Sequence, residues 1–175
     1  EEGRSRNVTA AKRIIVDNFI RGSLKEAKTA REGLFEDSGL EATTLSENMT
    51  VGKLDSIIRH IVTFDLDKYA GVIVLHGTDT LAYSTGVLSL LFESTPVPIM
   101  LVSANRPPDD PLTNANANFR TATELIMAGI APGVYVPYRN MDGTMWLHEG
   151  AALMQCANFS DDFYSEPGEK AYAVD

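Results

Sequence analysis

A chain of 175 residues, 44% apolar and 22% charged, is long enough for one domain with a substantial core, since chains of this size bury roughly 70% of their extended surface. The net charge of −9, from 24 acidic against 15 basic side chains, argues against a nucleic-acid backbone as main partner, because phosphate binding needs clustered Lys and Arg. The single cysteine, Cys156, excludes an intrachain disulfide, there is no Cys/His set with zinc spacing, and no run approaches the ~20 apolar residues of a membrane span.

In chain order, residues 9–21 place Ala11, Ile14, Ile15, Phe19 and Ile20 near helical spacing, with Thr9 available as a cap. Residues 34–49 lack a long apolar period and read as loop, with a short strand near Thr43–Leu45. A helix begins at Thr50, its stripe formed by Val51, Leu54, Ile58 and Ile61, with Ile57 and Val62 alongside. Gly71–Leu75 is a short β-branched run of the kind a buried parallel strand shows. A helix from about Thr80 to Phe92, a second buried strand at Ile99–Val102 and a Pro- and Asp-rich loop at 103–113 follow. A third helix is predicted from Asn114 to about Ala128, with Phe119, Ala122, Leu125 and Ile126 inward. Gly133–Pro137 and, after the Asp142-Gly143 turn, Met145–His148 complete the strands.

Strands alternating with helices predict an α/β domain: a three-layer αβα arrangement on a mostly parallel sheet with right-handed crossovers. Ligands in such sheets gather at the carboxyl ends of the strands, so the residues after Leu75 and after Val102 are where chemistry is expected. His76-Gly77-Thr78-Asp79-Thr80 sits on the first of these turns. Gly77 permits a tight turn, and Thr78, Asp79 or Thr80 could simply cap the helix that follows. The same geometry suits a ligand site, because a helix start carries unpaired donors and a partial positive charge. A hydroxyl beside a carboxylate could position a nucleophile and hold an amino group, yet a Thr hydroxyl needs a base, and none is adjacent in sequence.

This HGTDT segment resembles the signature of the L-asparaginase family, and other segments fall in family order around it. Ser46-Glu47-Asn48-Met49 resembles the upstream substrate loop, and Ser103-Ala104-Asn105-Arg106-Pro107 resembles the Gly-Ala-Met-Arg-Pro-like segment whose Ala carbonyl lines the amide pocket. The spacing from Arg106 to Asn118-Phe119 matches as well, so the resemblance covers roughly residues 7–150. It implies the amino-terminal domain of an amidohydrolase that cleaves the side-chain amide of L-asparagine, often L-glutamine too, with no cofactor and no metal. Catalytic roles fall by resemblance to Thr78, which activates or delivers water, and Asp79, which binds the substrate's α-ammonium. Substrate contacts fall likewise to Ser46 on the α-carboxylate, Glu47 assisting Asp79, and Ala104 at the amide pocket. A homodimer or homotetramer is implied too. A cytoplasmic setting is expected instead from the single cysteine and from residues 1–30, which do not read as a signal peptide. No nucleic-acid or membrane partner is expected from the charge and the apolar runs. Arg106, beside Asp109 and Asp110, reads instead as part of a loop-organising ion pair.

The chain departs from the family pattern in three places. The opening strand ending in Thr-Gly-Gly-Thr-Ile, whose first Thr attacks the amide, is absent, as is the smaller carboxyl-terminal domain; this reads as part of a longer protein, inactive when taken alone. The family's catalytic Lys follows an Asp-Gly turn, and His148 stands about where it belongs, so His148 is a candidate for the base Thr78 lacks and equally a structural histidine at a strand end. Asn114-Ala115 replaces the usual Asp followed by a small residue, a change expected to affect packing more than chemistry. Two rival readings remain: a glutaminase-like subunit of a tRNA-dependent amidotransferase, which shares HGTDT, and a non-catalytic amino-acid-binding protein on the same fold.

Overall fold

A computed structural model describes residues 35, 36, 38, 40, 46–156, 158–166 and 171–174. The helix expected at 9–21 and the strand expected near Thr43–Leu45 lie outside the described residues.

Helix α1 spans Val51–Ile61, and its Thr50 cap accepts a hydrogen bond from the Lys53 amide at 3.3 Å. Ile57 and Ile61 carry the buried face, while Val51, expected in the stripe, and Val62, expected alongside it, point to solvent. Strand β1 is Val72–Leu75, followed by α2 (Leu81–Leu91), β2 (Pro98–Val102), α3 (Ala115–Met127) and β3 (Gly133–Arg139). Next come β4 (Met145–Glu149) and the short β5 (Leu153–Met154), β6 (Tyr164–Ser165) and β7 (Ala171–Ala173).

The main sheet has the order β1-β2-β3-β4-β7. Its first three strands are parallel, joined by the crossover helices α2 and α3, and β4 and β7 extend it antiparallel. β5 and β6 form a separate two-stranded ribbon.

The central strand β2 is buried along its whole length and shows why the domain has three layers. Successive side chains of a strand point to opposite faces. Accordingly Ile99 and Leu101 pack with Ile57, Ile61, Leu81 and Leu88 on one side, while Met100 and Val102 pack with Ala115, Phe119 and Ala122 on the other. Helices α1 and α2 cover one face and α3 the other, which is the α/β arrangement expected from the alternation of elements. Tyr83, Val87, Leu90 and Leu91 leave an apolar stripe exposed on α2, a helix that contains no charged residue.

Parallel register carries the ends of β1, β2 and β3 to one edge of the sheet. Leu75 pairs with Val102, and the His76 amide donates to the Val102 carbonyl at 2.9 Å, so the turn after β1 and the loop after β2 start side by side.

Candidate active site

The turn after β1 is built against the 3-10 segment Ser46–Asn48. The Ser46 hydroxyl donates to Asp79 Oδ2 at 2.6 Å and accepts from the Asp79 amide at 3.2 Å. Thr80 Oγ1 donates to the Ser46 carbonyl at 3.1 Å. A Cβ on Gly77 would stand 2.4 Å from Ser46 Oγ, so glycine is required here for the approach of the two segments.

These contacts change the local reading of HGTDT. A side-chain cap from Thr78, Asp79 or Thr80 is one expectation from the sequence, but Thr80 occupies the cap position of α2 without making such a bond. The reason is competition: the Thr80 hydroxyl and the Asp79 carboxylate are both spent on Ser46. The first turn of α2 therefore starts at this site without a side-chain cap. Thr78 is half-buried, and its hydroxyl makes no hydrogen bond among the described residues. Glu47 is exposed next to Ser46.

His76 is mostly buried, and its Nδ1 lies 2.6 Å from the Gly77 carbonyl, which requires a proton on Nδ1. Burial lowers its pKa, partly offset by that carbonyl, so the ring is neutral at pH 7, and its Nε2 has no partner among the described residues.

The loop after β2 is fastened by two asparagines one helical turn apart, Asn114 at the cap of α3 and Asn118 within it. Asn114 accepts from the Asn105 amide at 2.9 Å, and its own amide donates to Asn105 Oδ1 at 3.2 Å. Its Nδ2 also donates to the Arg139 carbonyl at 2.8 Å, a bond an aspartate could not make. The fully buried Asn118 donates to the Ser103 carbonyl at 2.9 Å and accepts from the Arg139 amide at 2.8 Å. Ala104 lies between these anchors, partly buried against the α3 face of the core. Asn114 and Asn118 thus tie the loop after β2 to the end of β3. As expected from the sequence, Arg106 pairs with Asp110, at 3.4 Å on the surface.

His148 is not brought to Thr78. It lies on β4 opposite Val136, with β3 and β2 between it and β1, or three spacings of about 4.8 Å. Its side chain is 1% exposed, Nδ1 is 2.9 Å from Ser165 Oγ, and Nε2 is buried without a partner among the described residues. Burial pushes its pKa down to about 4. Counting residues from the Asp-Gly turn locates the strand but not the direction of its side chains, and β4 directs this ring into the core. The residue that does reach the turn is Gln155, just after β5, whose Nε2 donates to the Asp79 carbonyl at 3.2 Å. No sequence signal marks it, because a two-residue strand has no period and the partner lies 76 positions away.

The architecture is that of an αβα domain with a polar turn at the carboxyl ends of its parallel strands, a place where such sheets bind small ligands. The family model described as "Asparaginase, N-terminal" matches residues 8–172. The chain therefore belongs to the asparaginase family, matching its amino-terminal domain.

An L-asparaginase of Thermococcus kodakarensis is 35% identical over 108 residues, which is 59% of this chain and 33% of the relative. A glutamyl-tRNA(Gln) amidotransferase subunit of Methanococcus vannielii is 39% identical over 114 residues, 62% of this chain and 26% of the relative. Among solved structures, the thermostable L-asparaginase of T. kodakarensis superposes with TM-score 0.61 at 26% identity, covering 74% of this chain and 38% of that one. L-asparaginase I of Vibrio cholerae gives TM-score 0.59 at 28% identity, over 75% of this chain and 40% of that one. The chain spans a third or less of the length of these two curated relatives.

Proposed function

We propose that this domain carries the amino-acid-binding part of an amidohydrolase site that releases ammonia from L-asparagine, with L-glutamine as a second substrate. The observation that carries the reading is the union of Ser46 and Asp79, 33 residues apart, in a 2.6 Å bond beside the hydroxyl of Thr78. Asp79 presents a carboxylate suited to the substrate's ammonium. Ser46 holds that carboxylate and stands ready to meet the substrate's own carboxylate, with Glu47 at the rim. The Ala104 carbonyl lines the amide pocket.

The chemistry is acyl transfer. A threonine hydroxyl, supplied from outside the described residues, forms a C–O bond to the amide carbon, and the C–N bond breaks as nitrogen takes a proton and leaves as ammonia. Water, positioned by Thr78, then cleaves the ester to give the free acid and restore the hydroxyl. No metal or cofactor enters this scheme. The protein is proposed to be cytoplasmic and homo-oligomeric, and the apolar stripe on α2 supports a further packing partner.

The amidotransferase relatives support a second reading, in which ammonia is passed to a tRNA-bound substrate. The test is ammonia release from L-asparagine and L-glutamine by the full-length protein and its Thr78→Ala variant. Turnover of free asparagine that drops at least ~100-fold in the variant supports the first reading. Turnover of glutamine only with a glutamylated tRNA supports the second. Binding of aspartate without ammonia release under either condition refutes both.

A further inference from the structure

The turn that carries Asp79 is gripped from two sides. Ser46 takes the carboxylate, and Gln155 takes the backbone carbonyl at 3.2 Å. The backbone bonds at the start of α2 run from Leu81 to the Thr78 carbonyl at 3.2 Å and from Ser84 to the Thr80 carbonyl at 2.9 Å. None runs to Asp79, so among the described residues Gln155 alone supplies a donor to that carbonyl. Gln155 is itself anchored, since it follows Leu153, which is buried in the core, and Met154, which pairs with Tyr164. Gln155 is half-buried; its amide oxygen has no partner among the described residues, while its Nε2 carries both the bond to Asp79 and a longer contact to Cys156 Sγ at 3.9 Å. The donor end of the side chain is thus the one that meets the site.

We propose that Gln155 is a positioning residue for the ligand: by holding the Asp79 carbonyl out of the α2 hydrogen-bond register, it sets the direction in which the Asp79 carboxylate meets the ligand's ammonium. The inference rests on the proposed role of Asp79 as the ammonium's partner. As a neutral amide, Gln155 fixes the turn equally across pH. A small misplacement of a binding group weakens the complex steeply, so loss of this grip raises KM and the dissociation constant for aspartate more than it lowers thermal stability.

The test uses the full-length protein, with L-aspartate binding by calorimetry and ammonia release from L-asparagine, in wild type, Gln155→Leu and Gln155→Glu. Gln155→Leu is expected to weaken aspartate at least ~10-fold and raise KM by a similar factor, with kcat changed less. At pH 7.5 the ionised side chain of Gln155→Glu opposes the Asp79 carbonyl and matches the leucine variant. As the pH is lowered through the carboxyl's own titration, at about 4.3 for a free glutamate, the growing neutral acid fraction can donate an O–H, so its affinity relative to wild type recovers while that of Gln155→Leu does not. A role confined to folding would lower Tm and leave both the KM and this pH-dependent rescue unmoved. If Gln155→Leu fails to fold, Gln155→Asn, one methylene shorter, makes the same comparison. Variants that bind and hydrolyse like an active wild type overturn the role of Gln155 and leave the functional reading standing. A wild type that neither binds aspartate nor releases ammonia overturns the functional reading and this inference with it.

Discussion

Acidification from pH 7.5 to 4.5 tests the placement of His148 more directly than any activity assay. The ring is 1% exposed, with Ser165 Oγ 2.9 Å from Nδ1 and no partner at Nε2 among the described residues, and burial pulls its pKa down to about 4. In the unfolded chain a histidine titrates near 6.5. Between these values the unfolded state binds more protons than the folded one, so stability present above pH 6.5 is lost as the pH falls toward 4. The interval between about 6.5 and about 4 corresponds to roughly 3 kcal/mol in all, of which about 2 kcal/mol is gone by pH 5.

Carboxylates titrate in the same range, so the informative quantity is a difference. Urea unfolding of the intact protein and of His148→Leu, followed at pH 7.5, 6, 5 and 4.5, isolates it. The leucine removes the titrating ring, the unsatisfied Nε2 and the Ser165 bond, and at pH 7.5 these effects nearly offset, leaving the two proteins within about 1 kcal/mol. At pH 5 the variant is expected to be more stable than wild type by about 2 kcal/mol relative to their difference at pH 7.5. A difference that stays constant across the series refutes the burial argument and returns His148 to an exposed position, where a catalytic role would reopen.

Two further substitutions test the scaffold of the site, and a third tests a helix outside it. Gly77→Ala places a methyl 2.4 Å from Ser46 Oγ, so it should part Ser46 from Asp79 and weaken aspartate binding at least ~10-fold in calorimetry, with a stability loss of about 1–3 kcal/mol. Asn118→Leu keeps the volume but strips partners from the buried Ser103 carbonyl and Arg139 amide; a loss of about 2–4 kcal/mol in denaturant unfolding is expected. Thr50→Ala removes the cap bond to the Lys53 amide and should cost about 1 kcal/mol by the same measurement, with KM unchanged because α1 does not carry a site residue.

What the sequence makes legible follows the physics of each element. β1 and β2 are parallel strands legible as short unbroken apolar runs. β2 is buried along its whole length as expected, whereas β1, expected to be buried too, is only half-buried because it pairs with β2 on one side and with no other described strand. α3 is legible from Phe119 and Ala122, whose helical spacing matches the face they bury. β5, β6 and β7 have two or three residues each, too few to show any period, and their pairing is set by partners distant in the chain. The antiparallel turn of the sheet at β4 has the same origin, because alternation tells a strand from a helix but not the direction of its neighbour.

The site obeys a different rule. Polar residues at strand ends have no periodicity: topology points to the turns that hold Thr78, Asp79 and Ala104, but their roles, and Ser46 altogether, come by resemblance, while their contacts are tertiary. The run Asn114-Ala115-Asn116-Ala117-Asn118 shows the difference most clearly. Read as letters it is a local bias; wound into α3, its first and last members fall one turn apart on one face, where each bridges the loop after β2 to Arg139. Gln155 has the inverse problem, since its neighbours carry no pattern and only the fold reveals that it meets Asp79. A resemblance can therefore nominate the groups that touch a ligand, whereas the side chains that hold those groups in place become visible only once the strands are aligned. In this chain Asn114, Asn118 and Gln155 are such residues.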